Sequence, residues 1–287
     1  MNKNKKTLFF LCELCFALQL VTLQPLYKMK SLRQLLLFKS ASLNKTVSAD
    51  LIMPANTNKN INYPLLILND GQDVLHMHLK LILEQVWAKN WCKPFILIAP
   101  HTKDRMNEYG VANHPDYKNR GYLANAYSQF ICSEMLPQLK NKLDISSFES
   151  IAIAGFSLGG LSAFDIAWNH PEIFSKVGAF SASFWWRKKE LNEQYTDADR
   201  IMHQVVKTTL QKPNLNIWLQ CGTLDEFEDR NHNGIIDSID DTLDLINDLE
   251  DKGFETNKDL FYTETIGGKH TMETYAIMLP HFFKWAF

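Results

Sequence analysis

The chain carries almost no excess of charge. Lys and Arg number 30 and Asp and Glu 32, a formal net charge of −2, and no basic run appears. That absence excludes an electrostatic footprint for nucleic acid or for an anionic membrane surface. Cysteine is scarce. The five cysteines, Cys12, Cys15, Cys92, Cys132 and Cys221, are odd in number and irregular in spacing, which argues against a disulfide framework. Cys12 and Cys15 form a C-x-x-C, but they lie in an apolar tail without the βαβ context of a redox motif. A long uncharged apolar run is also missing. The mostly apolar stretch 7–23 contains Glu13 and falls short of the ~20 residues a spanning helix needs, so no membrane span is expected. The basic start MNKNKK followed by that stretch resembles a signal peptide, yet no small-x-small cleavage site follows. Residues 1–31 therefore read as an N-terminal extension or an atypical signal-like segment. The compartment stays open with them: cytoplasm for the first, periplasm or secretion for the second.

No repeat and no linker divides the remainder, so residues 32–287 read as a single domain. Hydrophobic residues make up 46%, enough for a core that needs no disulfide or metal to hold it. Seven Trp and eighteen Phe point to a well-filled core and an aromatic-walled pocket.

Short apolar strands alternate with amphipathic helices. Residues 35–43 and 47–53 read as an opening antiparallel pair. Buried strands are expected at 63–68, 94–100, 150–154, 176–184, 215–221 and 259–265. Helices are expected at 74–89, 122–143, 158–168, 201–210, 242–252 and 272–287. This alternation implies βαβ units in a mostly parallel sheet with helices on both faces. Residues 101–121 form a long polar loop, and a loop of that length in a compact domain is usually functional.

Gly155-Phe156-Ser157-Leu158-Gly159 matches G-x-S-x-G between the strand SIAIA and the helix LGGLSAFDIAW. That context predicts a nucleophile elbow, with Ser157 exposed above the carboxyl edge of the sheet. The competing reading is a glycine-rich helix entry with Ser157 as N-cap. A phosphate-binding turn is disfavoured, because no Walker lysine and no G-x-G-x-x-G follows. A serine nucleophile needs a base, and the base an orienting acid, in the chain order Ser, acid, His. Of nine histidines, His270 alone follows the last strand on a turn, Gly267-Gly268. The acid is Asp225 or Glu226, after the strand LNIWLQC, and spacing cannot separate adjacent residues. The oxyanion donors are expected from the N–H groups of Leu158 and Gln72. Asp70 and Asp73 would flank the pocket, either as substrate ligands or as simple turn residues. The aromatics Phe184-Trp185-Trp186 read as a pocket wall, Trp185 above all, or as core.

A second motif lies at 229–240, DRNHNGIIDSID, which matches an EF-hand-type loop. Asp229, Asn231, Asn233, Asp237 and Asp240 supply side-chain oxygens, and Ile235 a backbone carbonyl. The last ligand is Asp rather than Glu, so bidentate binding has a shorter reach. The expected cofactor is a structural Ca2+, with none needed for catalysis; the competing reading is a solvated polar turn.

The combination Asp70-Gly71-Gln72-Asp73, Gly155-Phe156-Ser157-Leu158-Gly159-Gly160, Phe180-Ser181-Ala182-Ser183-Phe184-Trp185-Trp186, Gly222-Thr223-Leu224-Asp225-Glu226 and Gly267-Gly268-Lys269-His270 resembles the putative-esterase family of α/β-hydrolases. That family includes ferric-siderophore esterases, feruloyl esterases, S-formylglutathione hydrolases and mycolyltransferases. The resemblance spans residues 32–287. It implies the α/β-hydrolase fold, Ser157 as nucleophile and His270 as base. It implies Asp225 as acid by likeness to feruloyl esterases, or Glu226 by likeness to mycolyltransferases. The loop at 229–240 looks like an insertion in a bacterial branch. The function that follows is a serine esterase acting on a small-molecule carboxylic ester through an acyl-enzyme. The competing functions are an acyltransferase with the same triad and a non-catalytic calcium-dependent binding module.

Overall fold

The computed structural model describes residues 30–58 and 61–287. The Cys12–Cys15 pair and the apolar stretch 7–23 lie outside the described residues. Eight strands form one sheet: β1 (Ser31–Ser40), β2 (Lys45–Pro54), β3 (Leu65–Leu68), β4 (Ile96–Pro100), β5 (Ile151–Phe156), β6 (Lys176–Phe180), β7 (Asn216–Leu224) and β8 (Leu260–Lys269). Their order is β1-β2-β4-β3-β5-β6-β7-β8. The pairs β1/β2 and β2/β4 are antiparallel and the rest parallel. This is the α/β-hydrolase fold that the sequence implies.

The central strands β3, β4 and β5 are apolar throughout because both faces are covered. Side chains alternate across the sheet, so one strand feeds two cores. Leu65 and Ile67 join Ile98, Ile153, Leu161 and Phe164 on one face. Leu66 and Leu68 join Leu97, Phe156, Leu83 and Phe282 on the other. The helices are α1 (Leu79–Ala88), α2 (Arg105–Glu108), α3 (Ala124–Gln129), α4 (Leu136–Leu143), α5 (Leu158–Asn169), α6 (Ile201–Thr208), α7 (Asp237–Asp251) and α8 (Met272–Ala286). Helix α5, which the nucleophile motif opens, is buried nearly all round.

Several boundaries differ from the sequence reading: β1 runs from Ser31 to Ser40 instead of 35–43, β6 ends at Phe180 instead of 184, and four further differences bear on the site or its loops. The expected helix 74–89 starts at Leu79, because His78 takes a left-handed φ of 51°. The expected helix 122–143 is three pieces, α3 and α4 joined by a π-type segment, Phe130–Met135. Helix α7 opens at Asp237, inside the acidic loop, where Asp237 and Asp240 lie in the first turn. Carboxylates favour the positive end of a helix, so a polar run that reads as loop can start one. Strand β8 runs on to Lys269, so Gly267-Gly268 lies within the strand instead of forming a turn after it.

Candidate active site

Strand β5 ends at Phe156, and the chain turns sharply into α5 at Ser157. Ser157 takes φ 53° and ψ −125°. A non-glycine residue held in so sparsely populated a region costs on the order of 1–3 kcal/mol, which the surroundings must offset. They do so by gripping its backbone. Its N–H donates to the Phe180 carbonyl at 2.9 Å, and its carbonyl accepts from Gly160, Leu161 and Ser183. Close approach is possible because of the neighbouring glycines. A Cβ on Gly155 would lie 2.2 Å from the Gly159 carbonyl oxygen, and one on Gly159 would lie 2.4 Å from Asp70 Oδ2. Ser157 is half-buried between the buried residues Phe156 and Leu158, so its hydroxyl has an opening to solvent. Ser157 occupies the N-cap position of α5, as the competing reading has it, but its side chain makes no capping hydrogen bond.

The turn after β3 lies beside the elbow. Asn69 is buried; its amide donates to the Gly159 carbonyl at 2.8 Å, and Tyr127 donates to its oxygen at 2.7 Å. Asp70 takes a left-handed φ of 65°. The chain then enters a short 3-10 turn, Gly71–Asp73. Neither Gln72 N–H nor Leu158 N–H donates to any acceptor among the described residues. These are the two donors that the sequence marks for an oxyanion.

Asp70 is not open to a substrate. It is 1% exposed, and its carboxylate accepts from Arg105 Nε and Nη2 at 2.9 and 3.3 Å and from Gln72 Nε2 at 2.9 Å. The expectation that it binds substrate hydroxyls gives way to a structural ion pair. Asp73 is half-buried, and burial followed by the nearby Asp70 charge raises its carboxyl above the usual range.

Asp225 and His270 follow neighbouring strand ends at the carboxyl edge, with no hydrogen bond between them among the described residues. The last pair of the β7–β8 ladder is Leu224 with Lys269, and the two candidate residues come next in each strand. Asp225 Oδ2 accepts the Gly222 N–H at 2.8 Å, while the buried Oδ1 accepts no hydrogen bond. Burial raises the Asp225 carboxyl; the Ser181 hydroxyl, the Gly222 N–H and the His270 charge oppose that shift. Ser181 itself is buried with no aligned partner for its hydroxyl. The His270 ring lies edge-on to Tyr275 at 5.9 Å. Desolvation lowers the His270 imidazole, Asp225 raises it and Arg105 lowers it, with a net shift downward.

Glu226 points elsewhere. Its Oε1 accepts the Ser238 N–H at 2.5 Å, in the first turn of α7. A carboxylate there satisfies an orphan N–H and faces the positive end of the helix. The two adjacent acids, which spacing left equivalent, thus occupy different environments.

The aromatic segment divides. Phe184 and Trp186 are core, Phe184 against Phe164 at 5.5 Å and Trp186 fully buried. Trp185 is half-buried between the guanidinium groups of Arg120 and Arg187, each 5.5 Å from its ring. The segment starts next to the elbow, since Ser183 N–H donates to the Ser157 carbonyl.

The loop at 229–240 closes on itself through hydrogen bonds. Asp229 accepts the N–H groups of Asn233 and Gly234. Asn231 Oδ1 accepts from Asn233 N–H, and Asn233 Oδ1 from Ile235 N–H. Each oxygen keeps a second lone pair. The amide nitrogens of Asn231 and Asn233 donate to the two oxygens of Asp240 at 2.8 and 3.0 Å. Four side chains thus crowd together with oxygen donors, a set that fits a hard cation. Asp237 stands apart, its Oδ1 held by the Arg230 N–H at 2.9 Å and guanidinium at 3.2 Å. Among the described residues, no three His, Cys, Asp or Glu side chains gather as a metal cluster.

Sequence reasoning missed Arg105, Ser181 and Tyr275. Arg105 lies in the loop marked as functional by its length, and no motif singles it out. Ser181 is paired to the site by topology alone, following Phe180 as Ser157 follows its ladder partner Phe156.

Known proteins resemble this chain. A Bacillus subtilis (strain 168) protein named Uncharacterized protein YbbA is 23% identical over 138 residues, 46% of this chain. The match spans about half of that relative's length, 55%. The structure of a ferulic acid esterase superposes with a TM-score of 0.67 at 17% identity, covering 90% of this chain and 98% of the other. Enterochelin esterase from Shigella flexneri superposes with a TM-score of 0.68 at 18% identity, covering 88% of this chain and 58% of the other. At such identities the superpositions establish the fold. The family model described as Putative esterase matches residues 40–285, most of the chain, and by that match the protein belongs to this esterase family.

Proposed function

We propose that the protein is a serine carboxylic-ester hydrolase with the triad Ser157, His270 and Asp225. Ester chemistry follows from family membership. The observation that carries the serine reading is the elbow itself: Ser157 is held at φ 53° beside the free N–H groups of Leu158 and Gln72. Strain of that kind is maintained where it places a reactive group.

In the proposed reaction, His270 takes the Ser157 proton as Oγ attacks the ester carbonyl. The oxyanion accepts hydrogen bonds from Leu158 and Gln72 N–H. His270 then gives its proton to the departing alcohol, leaving an acyl-Ser157 that water hydrolyses by the same steps. Asp225, through its unpartnered Oδ1, would hold the imidazole N–H and stabilise the imidazolium. The substrate is a small-molecule ester. Feruloyl and catecholate esters are the first to test, because the similar folds carry ferulic acid and enterochelin esterase names.

The test is turnover of p-nitrophenyl acetate and of those esters. Ser157→Ala and His270→Ala should each lose several orders of magnitude in kcat with an unchanged melting temperature. Retention of more than about a tenth of wild-type activity in Ser157→Ala would overturn the reading.

The loop at 229–240 is proposed to bind Ca2+ through Asp229, Asn231, Asn233 and Asp240, with the Ile235 carbonyl. Asp237 would join on leaving Arg230. The ion would brace the entry to α7, where Glu226 is anchored one residue from Asp225.

A further inference from the structure

Arg105, at the start of α2, spans both halves of the site. Its Nε and Nη2 donate to Asp70, and Nη2 also donates to the Phe156 carbonyl at 3.0 Å. Asp70 lies two residues before Gln72, and Phe156 lies two residues before Leu158. The guanidinium therefore ties together the two segments that carry the free N–H groups. Among the described residues, no other charged side chain bonds to both segments. The Asn69 amide links the β3 turn to α5 further along, at Gly159. The clamp is itself pinned: Asp70 N–H donates to the Tyr109 oxygen, Arg105 packs over the Tyr109 ring at 5.5 Å, and Gln72 Oε1 accepts the Thr102 N–H.

We propose that Arg105 is a positioning residue for the ester reaction, holding the Gln72 and Leu158 N–H groups in register to receive one oxyanion. The inference rests on the serine-esterase reading. A planar fork grips the carboxylate through two N–H groups and the carbonyl in one fixed geometry, which the rotating ammonium of lysine does not reproduce. Oxyanion donors act by preorganisation, and a small misplacement costs much of their effect.

The same charge reaches His270. The groups acting on that imidazole are Asp225 from the end of β7, which raises it, and Arg105 from α2, which lowers it; the Tyr275 phenol packs against it from α8. Arg105 thus helps keep the base neutral, and Asp70 partly cancels its charge.

Four proteins test this on a p-nitrophenyl ester across pH: wild type, Arg105→Gln, Arg105→Lys and Asp70→Asn. Arg105→Gln should lose about 10- to 100-fold in kcat with little change in KM, and the acid limb of kcat/KM should move to higher pH. Arg105→Lys should lose kcat comparably while its acid limb stays near wild type. Asp70→Asn leaves the guanidinium less neutralised, so its acid limb should move the other way, to lower pH. A merely structural role does not produce limb shifts of opposite sign. An Arg105→Gln enzyme within twofold of wild-type kcat, or limbs that move together in Arg105→Gln and Asp70→Asn, would overturn the proposal. Should Arg105→Gln fail to fold, the limbs of Arg105→Lys and Asp70→Asn decide. Covalent labelling of Ser157 by a fluorophosphonate in the wild type checks the underlying reading separately.

Discussion

Asp225 and Glu226 are adjacent, yet their surroundings assign them different work. Asp225 has one oxygen on Gly222 N–H and one buried and free, and it acts electrostatically on His270. Glu226 is spent on the start of α7. Asp225→Asn should therefore lower kcat by about 10³–10⁴-fold, since an amide cannot hold the useful tautomer or stabilise the imidazolium. Glu226→Gln should leave kcat within a few-fold and cost about 0.5–2 kcal/mol of stability, the range for a lost helix cap. Kinetics and denaturant melts on the pair read both, and the reverse ranking would make Glu226 the acid. The pH profile follows from His270. The base works only when neutral, and its imidazole lies below the ordinary value. Activity should rise with pH through that lowered value, so the acid limb of kcat/KM should fall below about pH 6.5, the unperturbed histidine value. A limb above it would mean that Asp225 outweighs desolvation and Arg105 together.

At the scale of elements, the site is a set of strand ends. Parallel pairing brings Phe156 beside Phe180 and Leu224 beside Lys269, so Ser157, Asp225 and His270 emerge along one carboxyl edge. The loop at 229–240 hangs between two such elements, β7 and α7. If it binds Ca2+, the ion stabilises only the native loop, because the unfolded chain has no preformed site. At a hundredfold excess over Kd that contributes about 2.7 kcal/mol. Melting curves in millimolar calcium and in chelator should differ accordingly, and Asp229→Ala or Asp240→Ala should abolish the difference. Superimposable wild-type curves, with no heat on calorimetric titration, would leave the loop a polar turn.

Across the whole molecule, what the sequence made legible was whatever depends on local pattern. All eight strands appear as apolar runs, and the elbow reads from glycines that a tight turn demands. Less legible was what depends on a partner distant in sequence. Arg105 finds Asp70 and Phe156 only after folding, and Asp70, which reads either as a substrate ligand or as a turn residue, is that ion pair's buried half. Helix α7 starts early because acids suit a helix N-terminus, a signal that hydrophobic periodicity does not carry. Strand β8 outruns its apolar segment because Gly267 N–H finds the Thr223 hydroxyl at 2.8 Å. The proposed nucleophile, the Ser157 hydroxyl, can be tested on the intact protein. Treating the enzyme with a fluorophosphonate and measuring intact mass and peptide maps should give one adduct, on Ser157, with rapid loss of ester turnover and far slower labelling in His270→Ala. An adduct on another residue accompanied by that loss, or full turnover in a protein labelled at Ser157, would contradict the assignment of Ser157 as the nucleophile.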